Sequence, residues 1–281
     1  MTTAGLHAVS LRPRATLALV LASIAGLVAF CWPLLADASM TLERSRNAPV
    51  YFAGLLLVVL AVVLAEVADD GLDARTVAML GVLSAMGAAV RPLGAGTAGI
   101  ETIFFLLILS GRVFGPGFGF VLGNTALFAS ALLTGGVGPW LPYQMLAAAW
   151  VATVAGLLPA ARGRAELALL AAYGAVAAVV YGLLLNLSFW PFALGADTSV
   201  SFQPGDAIVD NLQRLVVFSL TTSLGWDIGR AVTTAALVVV AGPVLLRILR
   251  RAGRRARFDA GSPDSGPRLA RTRNEAATGS R

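Results

Sequence analysis

Few side chains in this sequence are equipped for chemistry, and most of them sit in or beside long apolar runs. Arg91, Glu101, Thr102, Tyr143, Gln144, Tyr181, Asn186, Asp227 and Arg230 are the polar groups of interest. Such groups are rare inside bilayer-spanning segments, usually face the bundle interior, and mark ligand or ion sites there. Asp227 and Arg230 stand at i and i+3, a spacing that lets them pair along one helix face. That pair serves a structural role and a ligand role equally well. Asn124 and Thr125 fall nearer the middle of a run and are read as links between helices.

What is missing narrows the chemistry further. All 21 basic residues are Arg. The absence of Lys removes a phosphate-binding P-loop lysine, a Schiff-base lysine and a Ser–Lys pair. With His7 as the one His and Cys31 as the one Cys, one chain can build neither a His/Cys metal site nor a nucleophile–His pair. The expectation is therefore a non-enzyme without cofactor or metal. Net charge +6 and an isoelectric point of 10.6 would suit nucleic acid. The arginines, however, cluster at the ends of apolar runs and in the C-terminal tail, a pattern that fits membrane topology and excludes nucleic acid as the expected partner.

The elements that must position these residues are membrane helices. Hydrophobic residues make up 57% of the 281 positions and charged residues only 13%, about half the charge of a soluble domain. A crossing helix needs about 20 mostly apolar residues. Runs that qualify are Ala15 to Ala36, Val50 to Val67 (ending at the acidic segment Glu66 to Asp70), Thr76 to Val90, Gly99 to Phe114, Phe118 to Thr134, Tyr143 to Leu158, Ala165 to Trp190 and Ser223 to Leu249. Asn211 to Leu220 reads as a short interfacial helix. The first run is read as a retained helix rather than a cleaved signal, being long for a signal core. The expected fold is all-α, a polytopic transmembrane bundle of about eight spans.

Arginine placement sets the orientation. Arg12, Arg14, Arg75, Arg112, Arg162, Arg164 and the cluster Arg247 to Arg257 fall on the cytoplasmic side, and Arg44, Arg46, Arg91 and Arg214 outside. Both termini are then cytoplasmic, in a multi-pass protein of the cell membrane. The organisation expected is two additional helices in residues 1–73, a membrane core over 74–257, and a disordered cytoplasmic tail over 258–281.

Two further patterns have their own physics. Gly81, Ala85 and Ala89 recur at i, i+4 and i+8, as do Ala18, Ala22 and Gly26 in the first run; small residues at this spacing let helices approach closely in lipid. The loop Thr134 to Pro142 holds Gly and Pro around Trp140, which reads equally as part of a hinged lid and as an interfacial anchor, whereas Trp190 reads as an ordinary interfacial anchor. A ligand face against Trp140 is worth about 1–3 kcal/mol.

The stretch Val77 to Pro159 resembles the substrate-binding S components of energy-coupling factor (ECF) transporters, of actinobacterial type. The resemblance rests on AMLGVLSAMGAAVRPLG, on FGPGFGFVLGNTALFASALLTGG with its Phe-Gly-Pro-x-x-Gly-Phe-x-x-Gly pattern, and on LPYQMLAAAWVATVAGLLP. SLGWDIGRAVTT followed by LLRILRR looks like the final helix of such proteins, so the likeness covers residues 75–257. It implies a six-helix S-component-like core that captures a vitamin or micronutrient on the outer side. A separate transmembrane coupling protein and cytoplasmic ATPase subunits would drive import. The resemblance implies that Gly81, Ala85 and Ala89 dock on the coupling protein. Arg91, Glu101, Thr102, Trp140, Tyr143, Gln144 and Asp227 are the expected ligand-binding residues, with corrinoids favoured over thiamine-precursor and riboflavin-type substrates. The alternative is a self-sufficient secondary transporter with an intramembrane acidic relay through Asp227 and Glu101.

Overall fold

A computed structural model of the chain describes residues 13–35, 54–65, 74–94, 97–193 and 198–260. Arg12, Arg44, Arg46, the acidic segment Glu66 to Asp70 and most of the 258–281 tail lie outside the described residues. Those described form helices and connecting turns, with no strand among them. Lipid gives the backbone no hydrogen-bonding partner, so apolar runs of this length must satisfy their peptide groups within helices.

In chain order the helices are α1 (Pro13–Phe30), the single turn α2 (Trp32–Leu35), α3 (Gly54–Ala65), α4 (Ala74–Val90), α5 (Phe104–Phe114), α6 (Pro116–Thr134), α7 (Leu141–Leu157), α8 (Gly163–Ala193), α9 (Ile208–Thr222) and α10 (Leu224–Ala260). A short 3-10 turn, Arg91–Leu93, extends α4. Five helices, α1, α4 with its 3-10 turn, α6, α8 and α10, are long and apolar enough to cross a membrane. The protein is thus a multi-pass helical membrane protein. Apolar helices α3, α5 and α7 are shorter.

The run expected as a helix from Gly99 begins only at Phe104, because residues 97–103 form a turn drawn onto α10. Gly99 has φ +76°, and a Cβ there would collide with the backbone carbonyl of Trp226; one on Gly229 would collide with that of Ala98. The 11 residues of α5 rise about 16 Å, roughly half the hydrocarbon thickness. All of its residues from Leu106 to Phe114 are buried, which makes α5 the central post of the bundle, packed against α6, α7, α8 and α10.

The Phe-Gly-Pro-x-x-Gly-Phe-x-x-Gly pattern has a direct packing explanation. Gly115 (φ +104°) separates α5 from α6 and lets Pro116 begin the next helix. Cβ atoms on Gly111 and Gly119 would meet the Ala152 backbone, and one on Gly123 the Ala149 backbone. A Cβ on Gly156 would come within 2.7 Å of Pro116 N. Without side chains at these four positions, α5 and α6 lie backbone-to-backbone on α7, the close approach that small residues permit in lipid.

At the end of the bundle where α10 terminates, hereafter the tail end, charges are tied together. Arg112 donates to the carbonyls of Leu158 (2.8 Å) and Pro159 (3.0 Å), just past the C-terminus of α7, and to Glu166 Oε1 at 2.9 Å. Arg250 donates to the same oxygen at 2.6 Å. A cation at a helix C-terminus and a carboxylate in the first turn of α8 both complement helix dipoles. Glu166 and Arg112 are buried, whereas Arg250 reaches in from a half-exposed position, and together they join α5, the end of α7, α8 and α10.

Candidate ligand-binding site

The opposite end of the bundle gathers the polar residues singled out above, though not all of them face one another. Arg91, just past α4, reaches across α6 to α7: its guanidinium donates to Gln144 Oε1 at 3.3 Å and to Ser130 Oγ at 3.5 Å. Thr102 Oγ1 donates to Val90 O at 2.6 Å, fastening the α4–α5 turn to the end of α4. Glu101 sits in that turn. Its carboxylate takes hydrogen bonds from the Thr102 and Ile103 amides and lies within the electrostatic field of Arg91 and Arg230.

Across from this turn, Arg230 Nη1 donates to Asp227 Oδ1 at 2.7 Å and to Ala178 O at 3.2 Å. Its guanidinium lies 5.2 Å from the ring centre of Tyr181, a cation–π distance, and Tyr181 packs edge-on against Phe104 at 4.8 Å. Arg230 Nε is buried with no hydrogen-bond partner among the described residues. Buried donors without acceptors are rare in folded proteins. α8 approaches Asp227 through Gly182, where a Cβ would collide with the carboxylate.

Arg91, Glu101, Thr102 and Gln144 therefore share one neighbourhood, and Arg230 links Glu101 to Asp227 and Tyr181. Arg230, read from the sequence as the partner of Asp227, lies between Asp227, Tyr181 and Glu101. Tyr143 departs from the expectation. One residue before Gln144, its side chain turns toward α1 and meets Phe30 edge-on at 4.9 Å; adjacent helical positions point about 100° apart.

Trp140 is 41% exposed. Its Nε1 donates to Gly136 O at 3.2 Å, and its ring rests on Gly138 and, at 6.4 Å, faces Phe189. The expected lid residue is thus folded onto its own loop. Trp190, expected as an interfacial anchor, is fully buried. Its Nε1 donates to Val200 O at 2.7 Å and its ring meets Phe202 at 5.4 Å, in a small second core with Leu187, Leu215 and Phe218. Val200 and Phe202, from the otherwise polar loop after α8, cover it, a tertiary contact that no local pattern announces.

Thr125 links helices, with Ser84 Oγ 2.6 Å from its hydroxyl, whereas Asn124 donates back to Phe120 O within α6. Asn186 ties α8 to α9 through Ser219 and Ser223. Gly81, Ala85 and Ala89 are exposed along one side of α4, and a Cβ on Gly81 would meet nothing within 4 Å. Sequence reasoning missed Glu166. Its signal was present, because a lone acid so close to an apolar run must find a partner. No group of His, Cys, Asp and Glu suited to a metal occurs among the described residues.

No protein-family model, curated protein or solved structure matches the chain.

Proposed function

We propose that the chain is the substrate-binding membrane subunit of an ATP-driven importer of the energy-coupling factor type. It would capture a vitamin-like micronutrient and work with a separate coupling protein and ATPases. One observation carries this reading. α4 turns Leu83, Ser84, Gly87 and Ala88 inward and leads into Arg91 at the polar cluster, while Gly81, Ala85 and Ala89 stay uncovered on its other side. A single helix thus joins a group able to recognise a ligand to a smooth face able to receive a partner helix.

In this reading about eight helices embed in the cell membrane, and α4 to α8 with α10 form the six-helix core. The tail end is cytoplasmic and the Arg91–Gln144 end faces out. Donors on Arg91, Gln144 and Arg230, with carboxylates on Glu101 and Asp227, suit a ligand carrying both acceptor and donor groups. Such a site gains specificity because a wrong ligand leaves buried polar groups unpaired. Corrinoids remain the favoured class.

The test is to purify the full chain in detergent and identify the co-purifying small molecule by mass spectrometry. A vitamin-like compound retained by the native chain and lost from Arg91→Met supports the reading. Substrate uptake that persists in cells stripped of coupling protein and ATPases would replace it with a self-sufficient secondary transporter using Glu101 and Asp227.

A further inference from the structure

We propose that the tail end of α10 is a binding site for an anionic phospholipid, independent of the ligand site at the other end. The charges on this helix are sorted by direction. Arg250 turns inward to Glu166, while Arg247, Arg251 and Arg254 are exposed. At 100° per residue, these three share one face with Val240, Val244 and Ile248, which are 76%, 50% and 56% exposed. One strip of helix therefore runs from apolar to cationic, matching an acyl chain followed by a phosphodiester headgroup.

Charge complementarity identifies the occupant. Among the side chains described at this end, the one carboxylate is Glu166, already held by Arg112 and Arg250. Arg247 satisfies one N–H on its own helix at Pro243 O, and no carboxylate in the described residues pairs with Arg247, Arg251 or Arg254. Exposed Arg162 and Arg164 add to the same end. At the opposite end, Arg214 is paired with Asp206 and Arg230 with Asp227, and Arg91 lies in the field of Glu101, so among the described residues exposed positive charge is concentrated at the tail end. Arginine clusters where a helix leaves the bilayer attract acidic lipid, each residue strengthening attachment roughly fivefold.

The experiment uses the delipidated full chain in neutral detergent, titrated with dioleoylphosphatidylglycerol or dioleoylphosphatidylcholine and read by native mass spectrometry. Preferential retention of phosphatidylglycerol, weakening at high salt, is expected. Combined Arg247→Gln, Arg251→Gln and Arg254→Gln should lower that affinity on the order of a hundredfold, while Arg214→Gln leaves it unchanged. The matching triple Lys variant keeps the charge and should keep the preference, which separates loss of charge from loss of fold. Equal retention of the two lipids by the native chain, or a preference surviving the Gln variant, overturns the proposal. So does displacement of the lipid by inorganic phosphate at equal concentration, since the site would then serve a soluble anion. Loss of the micronutrient from Arg91→Met reports on the other end and leaves this outcome untouched.

Discussion

Arg91 and Gln144 are 53 positions apart, yet the guanidinium of one donates to the side-chain oxygen of the other at 3.3 Å. This contact bridges the end of α4 and the start of α7, and Ser130 on α6 joins it. Three helices thus present polar atoms to one place, and a ligand that binds there must exchange bonds with Arg91 or Gln144.

The first prediction follows from that exchange. Gln144→Ala and Arg91→Met should each weaken binding of the co-purified ligand about tenfold or more in titrations, corresponding to roughly 1.5–3 kcal/mol for a lost charge-assisted bond. Trp140→Ala should change affinity less than either, because Trp140 already bonds within its own loop. Larger losses from Trp140→Ala than from Gln144→Ala would relocate the site under the 134–142 loop.

A second prediction contrasts two glycines. Gly123→Ala forces a methyl group into the Ala149 backbone, which cannot swing aside as a side chain does, whereas Gly81→Ala adds one in open space. Gly123→Ala should destabilise by about 1–3 kcal/mol or more, and Gly81→Ala by less than about 0.5 kcal/mol. Thermal unfolding in detergent measures both, and equal stability of the two variants would refute the close α6–α7 contact.

Third, the tail-end network should respond asymmetrically. Glu166→Gln leaves Arg112 in a buried place without its counter-charge, a change that costs about 3–5 kcal/mol. Arg250→Gln removes a guanidinium that is 42% exposed, so solvent screening limits the loss to about 1 kcal/mol or less. Replacing Arg112 and Glu166 together by Met should recover much of the stability lost in Glu166→Gln. Comparable unfolding midpoints for Glu166→Gln and Arg250→Gln would contradict the geometry.

Much of the architecture was legible because lipid enforces helices on long apolar runs and Gly or Pro punctuates them: Gly115-Pro116 and Gly135 mark real helix ends. The charge partners Asp227 and Arg230 were legible from their spacing alone. Other features depended on contacts that periodicity does not encode. The α4–α5 turn replaces the first helical turn after Gly99 because its backbone seats on Gly229, far along the chain. Trp190 is buried by a segment that follows it, and Tyr143 faces Phe30 although its neighbour faces Arg91. A polar residue near a helix end announces that it needs a partner, but not which partner.

Orientation gives a fourth prediction. Reporter fusions at Gly163 and Gly261 should both read as cytoplasmic, and one at Gly136 as external, given the arginines at the tail end. An exported signal from Gly261 would invert the arrangement and place the Arg91–Gln144 cluster on the inner face.

The last prediction concerns the open side of α4. Ala85 is exposed, with Gly81 and Ala89 one turn away on either side, so a larger residue there has room among the described residues. Ala85→Leu should therefore leave the unfolding temperature and the co-purified ligand of the isolated protein unchanged. Against a partner helix the outcome differs. Small residues allow backbone contact, and an added isobutyl group holds the axes apart and forfeits the dispersion gained at that distance. Uptake by the complete transporter, or recovery of a coupling protein on the tagged chain, should fall severalfold. The paired readouts matter, because a variant that is stable and ligand-loaded but inactive isolates the partner-facing surface from the ligand site. Full uptake with Ala85→Leu would assign this face to lipid, leaving the polar cluster at the end of α4 without the partner contact that the proposed function requires.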